Sequence, residues 1–470
     1  MLDISSDGSE LLAMKPNLND EDYRGSIWSV PVLGGSPRRI GNEMVTDARW
    51  LPDGRSLIYV ELRSVFISGA DGANPKKIWE APGNVFDASF SPDGHRIRLT
   101  VVDNNHPKIW ELNVDGSNAH RLILVQPENA GQWSGRWTPD GRHFIFQSDA
   151  DGSHNIYELV KPRWLEFWKH PTATKLTSGE MEIFDGIPSR DSKQLFVLGR
   201  ISQGAMQVYD PQQKRFAPFL GGLSAAEFVI SPDKQWMVYT DYPRHFLWRS
   251  RLNGSEKLQL TNSYAVWPRW SPNGKSIAYM DWRAIYLISS EGGTPERLVG
   301  GDEVAPEWTP DGKAITFNDY PRLGTELKGV QMLDIASRKV SVVPGSEGFY
   351  VGSWSPDGKY LVAVAQNPLR MMLYDVGSKS WSELKKFEAP WGYWVWTADS
   401  KSILFAQTQG QLGIYRLTIA NGKWERVASL EGINIADQTN QSFLNLTADG
   451  QPAIMNDTSV VQIYSLKWKE

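Results

Sequence analysis

The chain has 470 residues, with 49 Lys and Arg against 54 Asp and Glu, a net charge of −5. Bulk charge therefore gives it no reason to seek nucleic acid or an anionic membrane. It contains no Cys, which excludes a disulfide framework, thiolate-held zinc or iron–sulfur clusters and a cysteine nucleophile.

Read from the start, residues 1–8 carry neither a basic nor an apolar stretch, so no signal peptide is expected. No window is apolar over the 18 or so residues that a membrane span requires. The first turn signal, Ser6-Asp7-Gly8, opens a series. A strand-like run, then Ser/Thr-Pro-Asp-Gly, then a second alternating strand recurs at Asp7, Asp53, Asp93, Asp140, Asp191, Asp233, Asn273, Asp311, Asp357, Asp399 and Asp449. These eleven copies lie about 44 residues apart, the length of a propeller blade. Pro presets φ, Asp bonds its own backbone, and Gly accepts φ > 0. The alternation that follows (Leu57, Tyr59; Phe144, Phe146; Ile277, Tyr279; Ile403, Phe405) is that of half-buried strands. Trp50, Trp137, Trp270, Trp308, Trp354 and Trp396 each stand three residues before the turn Asp or Asn, so six of the 21 Trp share one position, expected between blades.

A second hairpin follows in most copies, at Leu33-Gly34-Gly35-Ser36, Asp71-Gly72, Asp115-Gly116, Asn253-Gly254 and Gly292-Gly293. Two hairpins per repeat make a four-stranded sheet whose strands are a to d in order. The expected fold is all-β: eleven four-stranded β-propeller blades in two tandem propellers. Four repeats fill residues 1–160, an incomplete ring that opens on an a strand as if part of a longer protein were missing. Residues 161–171 form a linker. Residues 172–470 form a seven-bladed ring, in which the d-like segment 172–177 closes the last blade, because that blade reaches Glu470 with strands a to c alone.

The repeat, with Trp270-Ser271-Pro272-Asn273-Gly274-Lys275 as example, resembles the WD40-like PD40 repeat of TolB-type propellers. Similar blades occur in propeller domains of prolyl oligopeptidase relatives. The run 247–261 and Trp381-Ser382-Glu383-Leu384 are similar to the propeller half of bacterial winged-helix (CadC-like) transcriptional regulators. That resemblance implies a sensory or interaction half of a signalling protein, periplasmic if a membrane span precedes it and cytoplasmic if the chain is complete. A TolB-like envelope adaptor is an alternative, although an N-terminal α/β domain and a leader would normally accompany it.

Chemistry is sparse. The seven His stop at His245, no Gly-x-Ser-x-Gly elbow is present, and Arg269 stands where a P-loop ending in Gly274-Lys275-Ser276 needs Gly. One carboxylate per blade cannot converge the six to eight oxygens that Ca²⁺ takes. Arg38-Arg39 and Lys76-Lys77 are isolated basic pairs. No enzyme activity, metal or cofactor is expected.

One theme recurs at the b–c loops: Asp241-Tyr242-Pro243-Arg244, Asp281-Trp282-Arg283 and Asp319-Tyr320-Pro321-Arg322. The d–a loops add Trp267, Glu303, Tyr350, Trp391, Tyr393 and Trp394. Aromatic platforms with Arg suit a protein, peptide or small-ligand partner, while inherited turn chemistry, each Arg on its own Asp, explains the same residues. The enzymatic alternative is a propeller lyase or glycosidase using channel carboxylates such as Glu182, Glu227 or Glu303, which requires two of them in one pocket.

Overall fold

The structure, a computed structural model, describes the chain apart from residues 1–2, 6, 18–23, 104–105, 152–153, 161–172, 180, 282, 302, 320–326, 366–368, 388–393, 408–410, 436–443 and 468–470. The described residues form eleven antiparallel sheets, ten of four strands and one of three. No helix among them is long and apolar enough to cross a membrane.

The turn chemistry is the one the repeat requires. Asp233 Oδ1 accepts the Ser231 hydroxyl at 2.5 Å and the Gln235 N–H at 3.0 Å, while the Ser231 N–H closes on the Trp236 carbonyl at 2.9 Å. Gly274, Gly312 and Gly358 hold φ of 70° to 72° at the following position. Lys234, Ser192 and Ser400 adopt φ of 57° to 59° there without glycine's freedom. The repeated Trp residues join neighbouring blades. Trp270, Trp308 and Trp396 donate Nε1–H to the carbonyls of Val229, Arg269 and Ser353 in the preceding sheet, at 3.0, 3.2 and 3.1 Å.

The chain divides into two compact units, Met1–Ile201 with Val460–Glu470, and Ser202–Ser459. Unit 1 holds five sheets. Four of them follow chain order, for example Asp47–Trp50, Ser56–Glu61, Ser64–Gly69 and Lys76–Glu80. The fifth consists of Glu182–Pro188, Gln194–Ile201 and Val460–Lys467. Apolar clusters fill the space between successive sheets, such as Val60, Val65 and Ile58 against Val85, Leu99 and Val101.

Unit 2 holds six sheets. Five follow chain order, beginning with Ala225–Ile230, Trp236–Asp241, Leu247–Arg251 and Leu258–Gln259. The sixth takes its strands from both ends of the unit, in the order Arg215–Pro218, Gly204–Asp210, Pro452–Asp457 and Asn445–Leu446. Ile454 and Tyr209 of that sheet pack on Leu404, Ala406 and Ile414 of the sheet before it in sequence. Its Met206 and Ala453 pack on Phe228, Met237 and Tyr239 of the first.

Strand pairing departs from the expected closure. Ala173–Lys175 does not meet the C-terminal strand but pairs with Asn155–Val160 as the fourth strand of its own repeat. The Asp191 and Asp449 repeats instead exchange their third strands. Gly204–Asp210 pairs with Pro452–Asp457, and Val460–Lys467 pairs with Gln194–Ile201 over eight residues. The unit boundaries consequently fall at 201/202 and 459/460 rather than within 161–171. A two-residue link such as Thr458-Ser459 serves a hairpin or a crossing from one sheet to another equally well, because turn chemistry fixes how a chain reverses and not which sheet receives the returning strand.

Candidate functional site

The first strands of six sheets carry a recurrent irregularity six residues before the turn Asp or Asn. Asp87, Ser134, Asp185, Trp267, Ala305 and Val351 occupy that position with φ between 46° and 58°, each at a register shift in the pairing of the first and second strands. Such bulges re-aim side chains at functional rims. In unit 2 the residues six and four before the turn form two tiers: Glu227, Trp267 and Val351 in one, and Val229, Arg269, Glu307, Ser353, Val395 and Asn445 in the other.

All of these line one cavity of about 580 Å³, to which the first strands of all six sheets contribute. That volume lies in the range of ligand pockets. Its walls include Trp267, Trp354, Trp394 and Trp396, and Lys234 also borders it. Asn445 Oδ1 accepts the Phe228 N–H at 2.8 Å, tying the two ends of the unit together beside the cavity.

Its polar centre is Glu227–Arg269–Glu307. Arg269 Nε donates to Glu307 Oε1 at 2.5 Å, and Arg269 Nη1 lies 3.9 Å from Glu227 Oε2. The guanidinium also stands 5.0 Å from the centre of the Trp267 ring. Glu227 is 2% exposed, and its Oε1 accepts the Trp267 N–H at 2.5 Å. Burial pushes the Glu227 carboxyl up to about 7, against the opposing pull of Arg269 and the Trp267 N–H.

This gives a signed expectation. Between pH about 4.5 and 7, folded Glu227 holds a proton that the unfolded chain has released, so its contribution to stability falls as pH rises through that window. Stability of the wild type minus that of Glu227→Gln, from urea unfolding at stepped pH, should decline on the order of 3 kcal/mol across it and then level off. A difference that rises with pH would contradict the assignment.

Unit 1 has its own polar centre at the equivalent positions. Asp47 Oδ2 accepts the Ala88 N–H at 3.1 Å, Arg49 lies 4.0 Å from Asp47, and Ser134 Oγ donates to Asp87 at 3.2 Å. Burial raises the Asp47 carboxyl and lowers Arg136, which feels the charges of Arg49, Asp185, Asp87 and Asp47. No group of three or more His, Asp or Glu among the described residues could hold a metal ion.

Of the residues singled out in sequence, Trp282, Tyr320, Arg322, Trp391 and Tyr393 lie outside the described residues, as does the side chain of Glu303. Trp267 is not on a loop: it sits within Val266–Trp270, 4% exposed, in the cavity wall. The three repeated Asp residues engage local groups. Asp241 Oδ1 accepts the Phe246 N–H at 2.7 Å, and Asp281 Oδ1 accepts the N–H of Arg283 and of Ala284, both at 2.9 Å. Asp319 accepts Gln331 Nε2 at 3.1 Å and Lys328 Nζ at 3.2 Å. Tyr242 meets His245 edge-on at 6.0 Å, and His245 meets Tyr264 at 5.0 Å, where burial lowers the imidazole to about 4. Arg244 and Arg283 are exposed, and Tyr350 is half-buried at the start of its strand. Glu227 was found in sequence as a channel carboxylate. Its partners Arg269 and Glu307 were not, although counting back from each turn puts both of them four residues before it.

No known family profile matches the chain. It is 28% identical over 154 residues to the uncharacterized protein Atu1656 of Agrobacterium fabrum, covering 32% of this chain and 50% of that protein. It is 30% identical over 129 residues to the uncharacterized peptidase YuxL of Bacillus subtilis, covering 26% and 20%. It is 34% identical over 76 residues to the Tol-Pal system protein TolB of Anaeromyxobacter dehalogenans, covering 16% and 18%. The relationship is distant. The matches span half or less of each relative and connect this chain to TolB and peptidase homologues through parts of each. A solved structure described as a putative TolB from Agrobacterium tumefaciens aligns with 55% of this chain and all of its own, with a TM-score of 0.43 and 16% identity.

Proposed function

We propose that units 1 and 2 are β-propellers of five and six blades, and that the chain is a non-catalytic binding protein of the TolB type. Its unit 2 cavity receives an extended peptide segment of a partner protein. Two features support ring closure. In unit 2 each sheet packs on the next and the last packs on the first. In unit 1 the Gly8 turn of the first sheet lies against Arg190 of the fifth, as the Gly141 turn lies against Pro92 of the sheet before it.

The observation that carries the binding reading is the cavity itself, in which aromatic walls surround a carboxylate–guanidinium–carboxylate centre. Tryptophan faces supply contact area at low entropy cost, and fixed charges supply register. Both carboxylates are engaged by one guanidinium, and Glu227 also holds the Trp267 N–H. That arrangement suits recognition better than proton transfer, because a general acid must reach its substrate. The relatives above are a peptidase, an uncharacterized protein and TolB, so nothing among them favours a transcriptional regulator.

Panning a random linear peptide library on the full chain tests this. Enriched peptides should lose about tenfold or more in affinity against Glu307→Gln or the cavity-filling Ser353→Trp. They should keep it against the triple variant Arg244→Ala, Arg283→Ala and Arg322→Ala. The reverse pattern would move the site to the loops. A second reading, glycoside cleavage, draws on Glu227 and Glu307 sharing the cavity. Turnover of an oligosaccharide panel that Glu227→Gln abolishes would favour it.

A further inference from the structure

The unit 2 cavity reaches the surface at the turns of four sheets, where Pro232, Lys234, Pro356, Ala398 and Gly450 line it and are exposed. Lys234 is the charged residue of these five. The carboxylates of the same turns are held back. Asp233, Asp357, Asp399 and Asp449 accept the hydroxyls of Ser231, Ser355, Thr397 and Thr447 in turn, at 2.5 to 2.8 Å, and none of the four Asp is among the described lining residues. Lys234 occupies the turn position that Gly fills in eight of the eleven repeats, and it holds φ of 57° there. That conformation is costly for a residue with a Cβ. Among the described residues the Lys234 ammonium has no hydrogen-bond or ion-pair partner. Lys313 and Lys359, one position further along their turns, instead lie 3.7 and 3.4 Å from Asp311 and Asp357.

A strained position kept for a long cationic side chain at the mouth of a cavity is a functional signature. We propose, resting on the peptide-binding reading of this cavity, that the partner segment enters through the turn face and sets an Asp or Glu side chain against Lys234. The preferred segment is therefore acidic. Deeper in, Arg269 is already engaged by Glu307 and lies beside Glu227, so a carboxylate on the segment finds its unopposed cation at the mouth. Glu307 would repel the same carboxylate further inside. An exposed ion pair adds little to affinity and is screened by salt. Its role is to choose between segments and to fix the register of the one that enters.

Calorimetric titration of the full chain with peptides enriched by library panning tests it at low and at high salt. The enriched peptides should share an Asp or Glu. Lys234→Gly should weaken them about three- to fivefold at low salt, a loss that high salt erases. Its melting temperature should not fall, since Gly adopts φ of 57° freely. Lys234→Arg should keep the affinity, and Lys234→Glu should weaken it further than Lys234→Gly. Peptides that Ser353→Trp excludes but that bind Lys234→Gly as tightly as the wild type at low salt overturn this inference and leave the cavity reading standing. Peptides indifferent to both variants, or no enrichment at all, overturn the cavity reading as well.

Discussion

Replacing Arg269 by Met should destabilise unit 2 by about 3 kcal/mol, because Glu307 loses its direct partner and Glu227 must either take up a proton or carry a buried charge with no cation beside it. Arg269 is the cation between Glu227 and Glu307, and Glu227 is almost fully buried. Without the guanidinium, Glu227 loses the largest influence opposing its desolvation and keeps its proton to higher pH. At roughly 2–4 °C per kcal/mol for a unit of this size, the transition of unit 2 should fall by about 6–12 °C in calorimetry. The triple variant Glu227→Gln, Arg269→Met, Glu307→Gln removes all three charges together and should recover most of the loss, since neutral replacement of a buried ionic group is far cheaper than breaking it. Arg269→Met with wild-type stability would show that the three side chains do not act as one group.

Shortening the C-terminus should separate the two units. Removal of residues 460–470 takes the third strand from the fifth sheet and uncovers Leu195 and Val197, which are 1% exposed. The unit 1 transition should then fall or vanish while that of unit 2 persists. Removal of residues 451–470 also takes Pro452–Asp457, with Ala453 and Ile454 at 0% and 1% exposure, from the sheet that joins the two ends of unit 2. Losing a central strand costs an amount comparable with a domain's whole stability of about 5–15 kcal/mol, so neither unit should then melt cooperatively. Limited proteolysis with calorimetry reads both outcomes. Equal shifts of both transitions on removing 460–470 alone would contradict the assigned strand exchange.

The repeat was legible in sequence because each part of it is local. Asp233 bonds atoms two residues away on either side, and Gly274 answers a backbone requirement at its own position. The shared Trp position was legible for the same reason, since it keeps a fixed distance from the turn. Pairing across the chain was not. Gly199 meets Gln462 and Val208 meets Ala453, and nothing in the alternation of either strand names its partner. The residues 172–177 have the form of an outer strand, and Ala173–Lys175 is one, but form does not say of which sheet. The site was legible in part. Glu227 is legible as a channel carboxylate, whereas the recurring loop theme points to Asp241 and Asp281, whose carboxylates bond groups within a few residues, and to Asp319, which bonds Gln331 of the next strand. Arg269 and Glu307 emerge only when each repeat is counted backward from its turn to the bulged first strand.

Hydrogen–deuterium exchange of the full chain with and without a selected peptide tests the central claim most directly. New protection is expected in fragments covering Glu227 to Ser231, Trp267 to Trp270 and Ser353 to Pro356, the walls of the unit 2 cavity. Protection confined to the Asp241 and Asp281 turns, or to unit 1, would contradict it.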